Sequence, residues 1–374
     1  MSDNVEVSYD FLPDDIVTQI LIRLPIKSII TCTSICKTWK SLIQKSTFHH
    51  SINNNHYLLF RKRYPCDKEI KGEYSLHNNY DFTEHTRFDF PLESHNDERK
   101  FRLVGTCNSL ICLSHKISKY IDELFLWNPC VRKYVKLPSP NGTLLAMGKR
   151  AYMGFGFDSK NRDYKVVRML CHIHMGIPKY QCEVEVYSLC TGEWRMVTVS
   201  PPKFVLFGGE KATGSVNGAL HWLAFRETDD HNVHRFILVF DLVGEVFQEI
   251  VLPEIIHTLD LANISVYGNS IAFLLLKECL NVGRQIIWVM KEYGVVSSWT
   301  KVLTIDDYVP GYAMGFRRNG EVLLSTEEGL YASLDLENQK MKELGISSDG
   351  FSLVGSYVES LVLLDMAANG AVTY

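Results

Sequence analysis

No stretch of this chain carries the positive charge that nucleic-acid binding demands. Over 374 residues, 39 Lys and Arg stand against 43 Asp and Glu, a formal charge of −4, and neither half holds the basic excess of a phosphate-tracking surface. Long apolar runs are missing too. The longest, Ile271 to Leu276, is far too short for a bilayer, so no membrane partner is expected. Residues 1–10 are polar and acidic, unlike a secretory leader. Ten cysteines in an unsecreted chain are expected to be mostly free core thiols rather than a disulfide framework. Together these absences predict a cytosolic or nuclear protein. Also lacking are a Gly-rich phosphate loop, a nucleophile elbow and a paired-carboxylate signature. No catalytic residue and no cofactor is therefore expected, and an enzymatic reading has no motif behind it.

What the chain does have is a dense helical pattern near its N-terminus, from Leu12 to Phe48. Ile16, Ile20 and Leu24 recur at i, i+4 and i+8, and Val17 and Leu21 widen that face. Pro13, Asp14 and Asp15 suit a helix start. Pro25 ends this helix and can open a second, which carries Ile26, Ile29 and Ile30. A third places Trp39, Leu42 and Ile43 together. A segment of roughly 40 residues cannot bury that much apolar surface within itself. The surplus reads as a docking face.

In order and spacing, Leu12-Pro13, Arg23-Leu24-Pro25-Ile26-Lys27-Ser28-Ile29, Cys36-Lys37-x-Trp39-x-x-Leu42-Ile43 and Phe48 resemble the F-box of plant F-box proteins. The resemblance implies binding to a Skp-type adaptor and, through it, to a cullin. It implies that Leu12, Pro13, Ile16, Ile20, Leu24, Pro25, Ile29, Trp39, Leu42 and Ile43 are core or adaptor-facing residues. Thr31, Cys32 and Thr33 depart from the usual pattern, which leaves open a second reading, an interaction scaffold with a vestigial F-box. Cys32 and Cys36, four apart, are expected to pack in the helical core.

After the Asn-rich stretch 51–56, which favours turns, the helical period gives way to short strands. Two patterns alternate. One is a glycine, a polar turn and an apolar run, starting at Gly105, Gly154, Gly214, Val266, Gly315 and Gly355, at steps of 49, 60, 52, 49 and 40 residues. The other is a pair of strands around an aromatic or apolar centre, at Trp127, Tyr187, Phe240, Trp288 and Leu334, at steps of 60, 53, 48 and 46. A period near 50 with four strands per unit predicts a kelch-like β-propeller. The final first pattern lacks a second, and the strands around Tyr74 look like a second without a first. The C-terminal strands are therefore expected to join the Tyr74 strands in one composite blade. That gives six blades, or seven if Tyr57 to Phe60 belongs elsewhere.

Cys107-Asn108-Ser109-Leu110-Ile111-Cys112, Leu126-Trp127-Asn128-Pro129, Gly154-Phe155-Gly156-Phe157-Asp158 and Asn217-Gly218-Ala219-Leu220-His221-Trp222 resemble the F-box-associated domain of the same plant proteins. The fold expected is thus multidomain: a disordered tail at 1–10, a three-helix F-box at 11–50, a linker at 51–56 and an all-β propeller at 57–374. Cys171, His172, His174 and Cys182 offer zinc-ligand atoms, but His172 and His174 face away from Cys171 on a strand. A strand end is the expected reading, and no metal. Trp127, Trp194, Trp222, Trp288 and Trp299 are expected in the core. The polar stretches His172–Gln181, Lys203–Lys211 and Arg226–Arg235 are candidate recognition loops. The function expected is recognition of a target protein, of unknown identity, for a Skp-cullin-F-box ubiquitin ligase.

Overall fold

The structure is a computed structural model that describes residues 12–44, 56–62, 73–92, 101–116, 122–140, 149–174, 177–198, 202–207, 212–227, 232–253, 261–279, 282–305, 311–348, 351–364 and 372–373. The tail at 1–10 lies outside them.

Three short helices come first: α1 Asp14–Leu21, α2 Ile26–Cys32 and α3 Lys37–Gln44. Pro13 and Pro25 are the residues before α1 and α2, both in the extended backbone that precedes a helix. Their carbonyls accept the first helical bonds, from Ile16 and Val17 in α1 and from Ile29 in α2. A proline there loses no helical bond. Cys36 opens α3: its Sγ accepts the Trp39 N–H at 3.4 Å and its carbonyl accepts that of Lys40. Cys36 is exposed, so the expectation that it packs in the core is corrected; its place in the chain is a cap. Cys32 does pack inside.

Among the described residues every later element is a strand apart from one turn of 3-10 helix. The strands make six antiparallel sheets. Blade 1 is the composite one: Phe351–Val358 lies innermost, followed outward by His56–Lys62, Glu73–Asn78 and Glu84–Asp89. Tyr57 pairs with Tyr357 on one side and Asn78 on the other. The strand at Tyr57 to Phe60 is thus the second of blade 1, and no seventh blade forms among the described residues. Blades 2 to 6 begin at inner strands Phe101–Cys107, Lys149–Asp158, Thr213–Val216, Leu261–Tyr267 and Tyr312–Phe316. Val372–Thr373 adds a fifth strand to the rim of blade 2 by pairing with Lys133 and Tyr134.

The recurring glycines sit on these inner strands, where blades converge on the ring axis. A Cβ on Gly154 would stand 2.7 Å from Leu220 Cδ1, 2.9 Å from Trp222 Cζ2 and 3.0 Å from Ala212 Cβ, all in blade 4. One on Gly156 would meet Leu242 and Ser215 at 2.6 and 2.8 Å. In blade 3 the glycines of the repeat are therefore a steric demand of packing against blade 4.

Alternation of strand direction assigns every connection to one end of the ring. Tight turns join first to second strands, as at Asn217-Gly218, where both residues have positive φ, the backbone of a two-residue hairpin. Turns from third to fourth strands share this end. The second-to-third connections and all blade-to-blade connections share the other. The helical module precedes His56, which begins a second strand, so it enters at the tight-turn end. There its buried Val17, Leu21, Ile29, Leu42 and Ile43 belong to one apolar cluster with Leu110, Leu126 and Phe155 of blades 2 and 3 and with Leu361 and Leu363 beyond the last inner strand.

Candidate interaction surfaces

The helical module sorts the ten expected residues by exposure. Leu12, Ile16 and Ile20 are 54%, 48% and 48% exposed, and Pro13 and Pro25 are exposed beside them. Ile29, Leu42 and Ile43 are buried: of the two places open to them, core or adaptor-facing, they take the core and hold the helices together. Leu24 and Trp39 are half-buried against that core. The sequence stripe of α1 therefore divides, Val17 and Leu21 turning inward and Ile16 and Ile20 outward. Ile16 and Ile20, four apart, lie along one line of the helix, and Leu12 precedes its Pro13 cap. Ile35, 62% exposed between α2 and α3, was missed because loop positions have no periodicity to read. The departures at Thr31 and Thr33 leave the helix intact, since their hydroxyls donate to the carbonyls of Lys27 and Ile30, a local bond open to any mid-helix threonine.

All three candidate recognition stretches lie at the end away from the helices, but they are less loop-like than expected. Strands Asp163–His174 and Ile177–Ser188 take up nearly all of His172–Gln181. Strand Val205–Phe207 runs through Lys203–Lys211, with Val205 and Leu206 buried. In Arg226–Arg235 the strands stop at Glu227 and resume at Val233; Arg226 pairs with Glu249 and lies over the Phe236 ring. Residues 175–176, 208–211 and 228–231 lie outside the described residues.

The tryptophans serve packing. Trp127, Trp194 and Trp222 are buried, and Trp288 and Trp299 are half-buried against the blade 4–5 core. Trp194 Nε1 donates to Pro138 O at 2.7 Å and Trp299 Nε1 to Val251 O at 3.1 Å, each reaching back to the chain of the preceding blade. Among the described residues no cluster of three metal-ligating side chains exists and no helix is long and apolar enough to cross a membrane. Cys171 and Cys182 are joined to each other as a disulfide, so neither offers a sulfur to zinc. Burial pushes the Cys130 thiol up to about 12, which leaves it protonated and unreactive at neutral pH.

One buried group gives the fold a pH dependence. His221, fully buried in blade 4, has Nε2 2.8 Å from the Tyr293 hydroxyl. Desolvation lowers its pKa from 6.5 to about 3. The unfolded chain then takes up a proton near pH 6.5 that the folded chain refuses, so stability falls as pH drops from about 6.5 towards 3. At pH 5 the expected loss from this residue is roughly 2 kcal/mol. His221→Gln should flatten the dependence of the urea midpoint on pH between 7 and 5; an unchanged slope would count against His221 as its source.

Residues 10–51 match the F-box domain. Residues 70–364 match the F-box associated beta propeller domain, a span that takes in the described strands other than His56–Lys62 and Val372–Thr373. The chain belongs to the F-box-associated β-propeller family. Arabidopsis thaliana has related F-box proteins. F-box protein At3g07870 is 29% identical, over 89% of this chain and 87% of its own. F-box protein CPR1 is 28% identical, over 94% and 89%. The F-box/kelch-repeat protein At3g23880 is 26% identical, over 79% of each. F-box proteins are typically non-catalytic adaptors.

Proposed function

We propose that this chain is the target-recognition subunit of a Skp-cullin-F-box ubiquitin ligase, working in the cytosol or nucleus. Leu12, Pro13, Ile16, Ile20 and Pro25 bind the Skp-type adaptor, which links the chain to a cullin. The ring end remote from the helices receives the target protein. The observation that carries this reading is the exposure of Leu12, Ile16 and Ile20, apolar surface left uncovered by the chain's own fold in a domain whose family binds an adaptor. Exposed apolar surface of this kind marks an interaction site. The chain supplies proximity only: holding target and ubiquitin donor together makes the transfer effectively intramolecular.

Changing Leu12 and Pro13 together to alanine is expected to weaken adaptor binding at least tenfold while the ring unfolds at an unchanged midpoint. A buried apolar anchor of this type is worth about 2 kcal/mol at an interface. Titration calorimetry with the purified adaptor measures it, and unaltered affinity would refute the assignment. The scaffold reading, raised by Thr31, Cys32 and Thr33, requires that the unmodified chain fail to co-purify with any Skp-type adaptor.

A further inference from the structure

Among the described residues the chain has one covalent cross-link, Cys171–Cys182. Cys32, Cys36, Cys107, Cys112, Cys130 and Cys190 are free thiols. The bonded pair stands directly opposite on neighbouring strands of blade 3, with Cα atoms 4.1 Å apart. It is also the last regular pairing before the hairpin tip. The next partners are Ile173 with Pro178, so three residues on one strand face one on the other. Beyond the cross-link only two cross-strand pairs follow, Ile173 with Pro178 and His174 with Ile177, and proline has no N–H to give the ladder. The strands of this hairpin, twelve residues each, reach the ring end remote from the helices.

We propose that Cys171 and Cys182 form a reversible oxidation site that sets the order of this hairpin tip, closed by a peroxide and opened by a dithiol. Cys182 is half-buried whereas Cys171 is 2% exposed, so Cys182 reacts first. Its thiolate attacks one peroxide oxygen, the O–O bond breaks, and after proton transfer one water leaves a sulfenic acid. The Cys171 sulfur then attacks the sulfenic sulfur and the S–O bond breaks. The S–S bond forms, and the Cys171 proton leaves with the oxygen as a second water. Two thiols are oxidised and one peroxide is reduced to two waters. A dithiol reverses the step through a mixed disulfide and is itself oxidised to a disulfide. Among the described residues, one disulfide beside six free thiols fits redox sensing better than a structural framework. The site is independent of whether the helical face binds an adaptor.

The test treats the full chain with hydrogen peroxide or with dithiothreitol. Differential alkylation with peptide mass mapping then reads the linkage, and amide hydrogen exchange reads residues 171–184. After peroxide, Cys171 and Cys182 should be linked and protected from alkylation. Exchange at 172–182 should be at least tenfold slower than in the reduced protein, with blades 5 and 6 unchanged. Cys182→Ser should exchange fast under both conditions. Alkylation of both cysteines after peroxide, as readily as the exposed Cys190, would overturn the proposal. So would equal exchange rates in the linked and reduced forms.

Discussion

Glu185→Ala is expected to destabilise the ring by about 3–5 kcal/mol. Glu185 and Arg168 face each other across the second and third strands of blade 3, and both side chains are almost fully buried, with Oε2 and Nη1 3.0 Å apart. Removing the carboxylate leaves a guanidinium charge inside the sheet packing, and arginine does not shed its proton at any ordinary pH. The desolvation already incurred is then no longer offset by the pair. Replacing both partners, as Arg168→Met with Glu185→Leu, removes the stranded charge and should recover most of the loss. Guanidinium denaturation followed by tryptophan fluorescence distinguishes the cases. A single-mutant cost under about 1 kcal/mol would mean that the pair behaves as a surface ion pair and that the burial argument fails.

Gly154→Val is the second large effect, for a reason of shape alone. Its Cβ would press on Leu220, Trp222 and Ala212 at 3.0 Å or less. These come from two neighbouring stretches of blade 4, so no single rotamer change relieves all three. Overpacking of this kind costs about 1–3 kcal/mol, and further methyls on valine place it at the upper end. Gly192 is the control: it lies in a turn with open space around it but φ of +74°, so Gly192→Ala tests conformation without crowding and should cost about 1 kcal/mol. If the two changes cost the same, the inner-strand glycines are there for turn chemistry and not for blade spacing.

Those glycines also explain how much of the fold could be read in advance. A ring needs the same order of strands in each blade, so the strand pattern repeats along the chain and becomes visible as a period. The composite blade followed from the same period, because a missing half at one end had its match at the other. The remote end of the ring offered no such signal. Strand Val205–Phe207 lies in the short apolar run Phe204–Phe207, where three residues give no alternation to detect, and Cys171–Cys182 is joined by strand register, which spacing alone does not reveal. On α1 the stripe was legible but its division was not. Periodicity locates Ile16, Val17, Ile20 and Leu21 on the helix; which of them faces inward depends on where α3 and the ring lie.

Blade 1 takes its innermost strand from Phe351–Val358 and the other three from His56 to Asp89. During synthesis the helical head and five-sixths of the wheel leave the ribosome before the piece that locks them. Until it arrives, His56–Lys62 presents an unpaired edge, the kind of surface that recruits stray strands. A chain terminated by a stop codon ahead of residue 351 would keep the three helices and lose the strand that completes blade 1, so the ring would stay open.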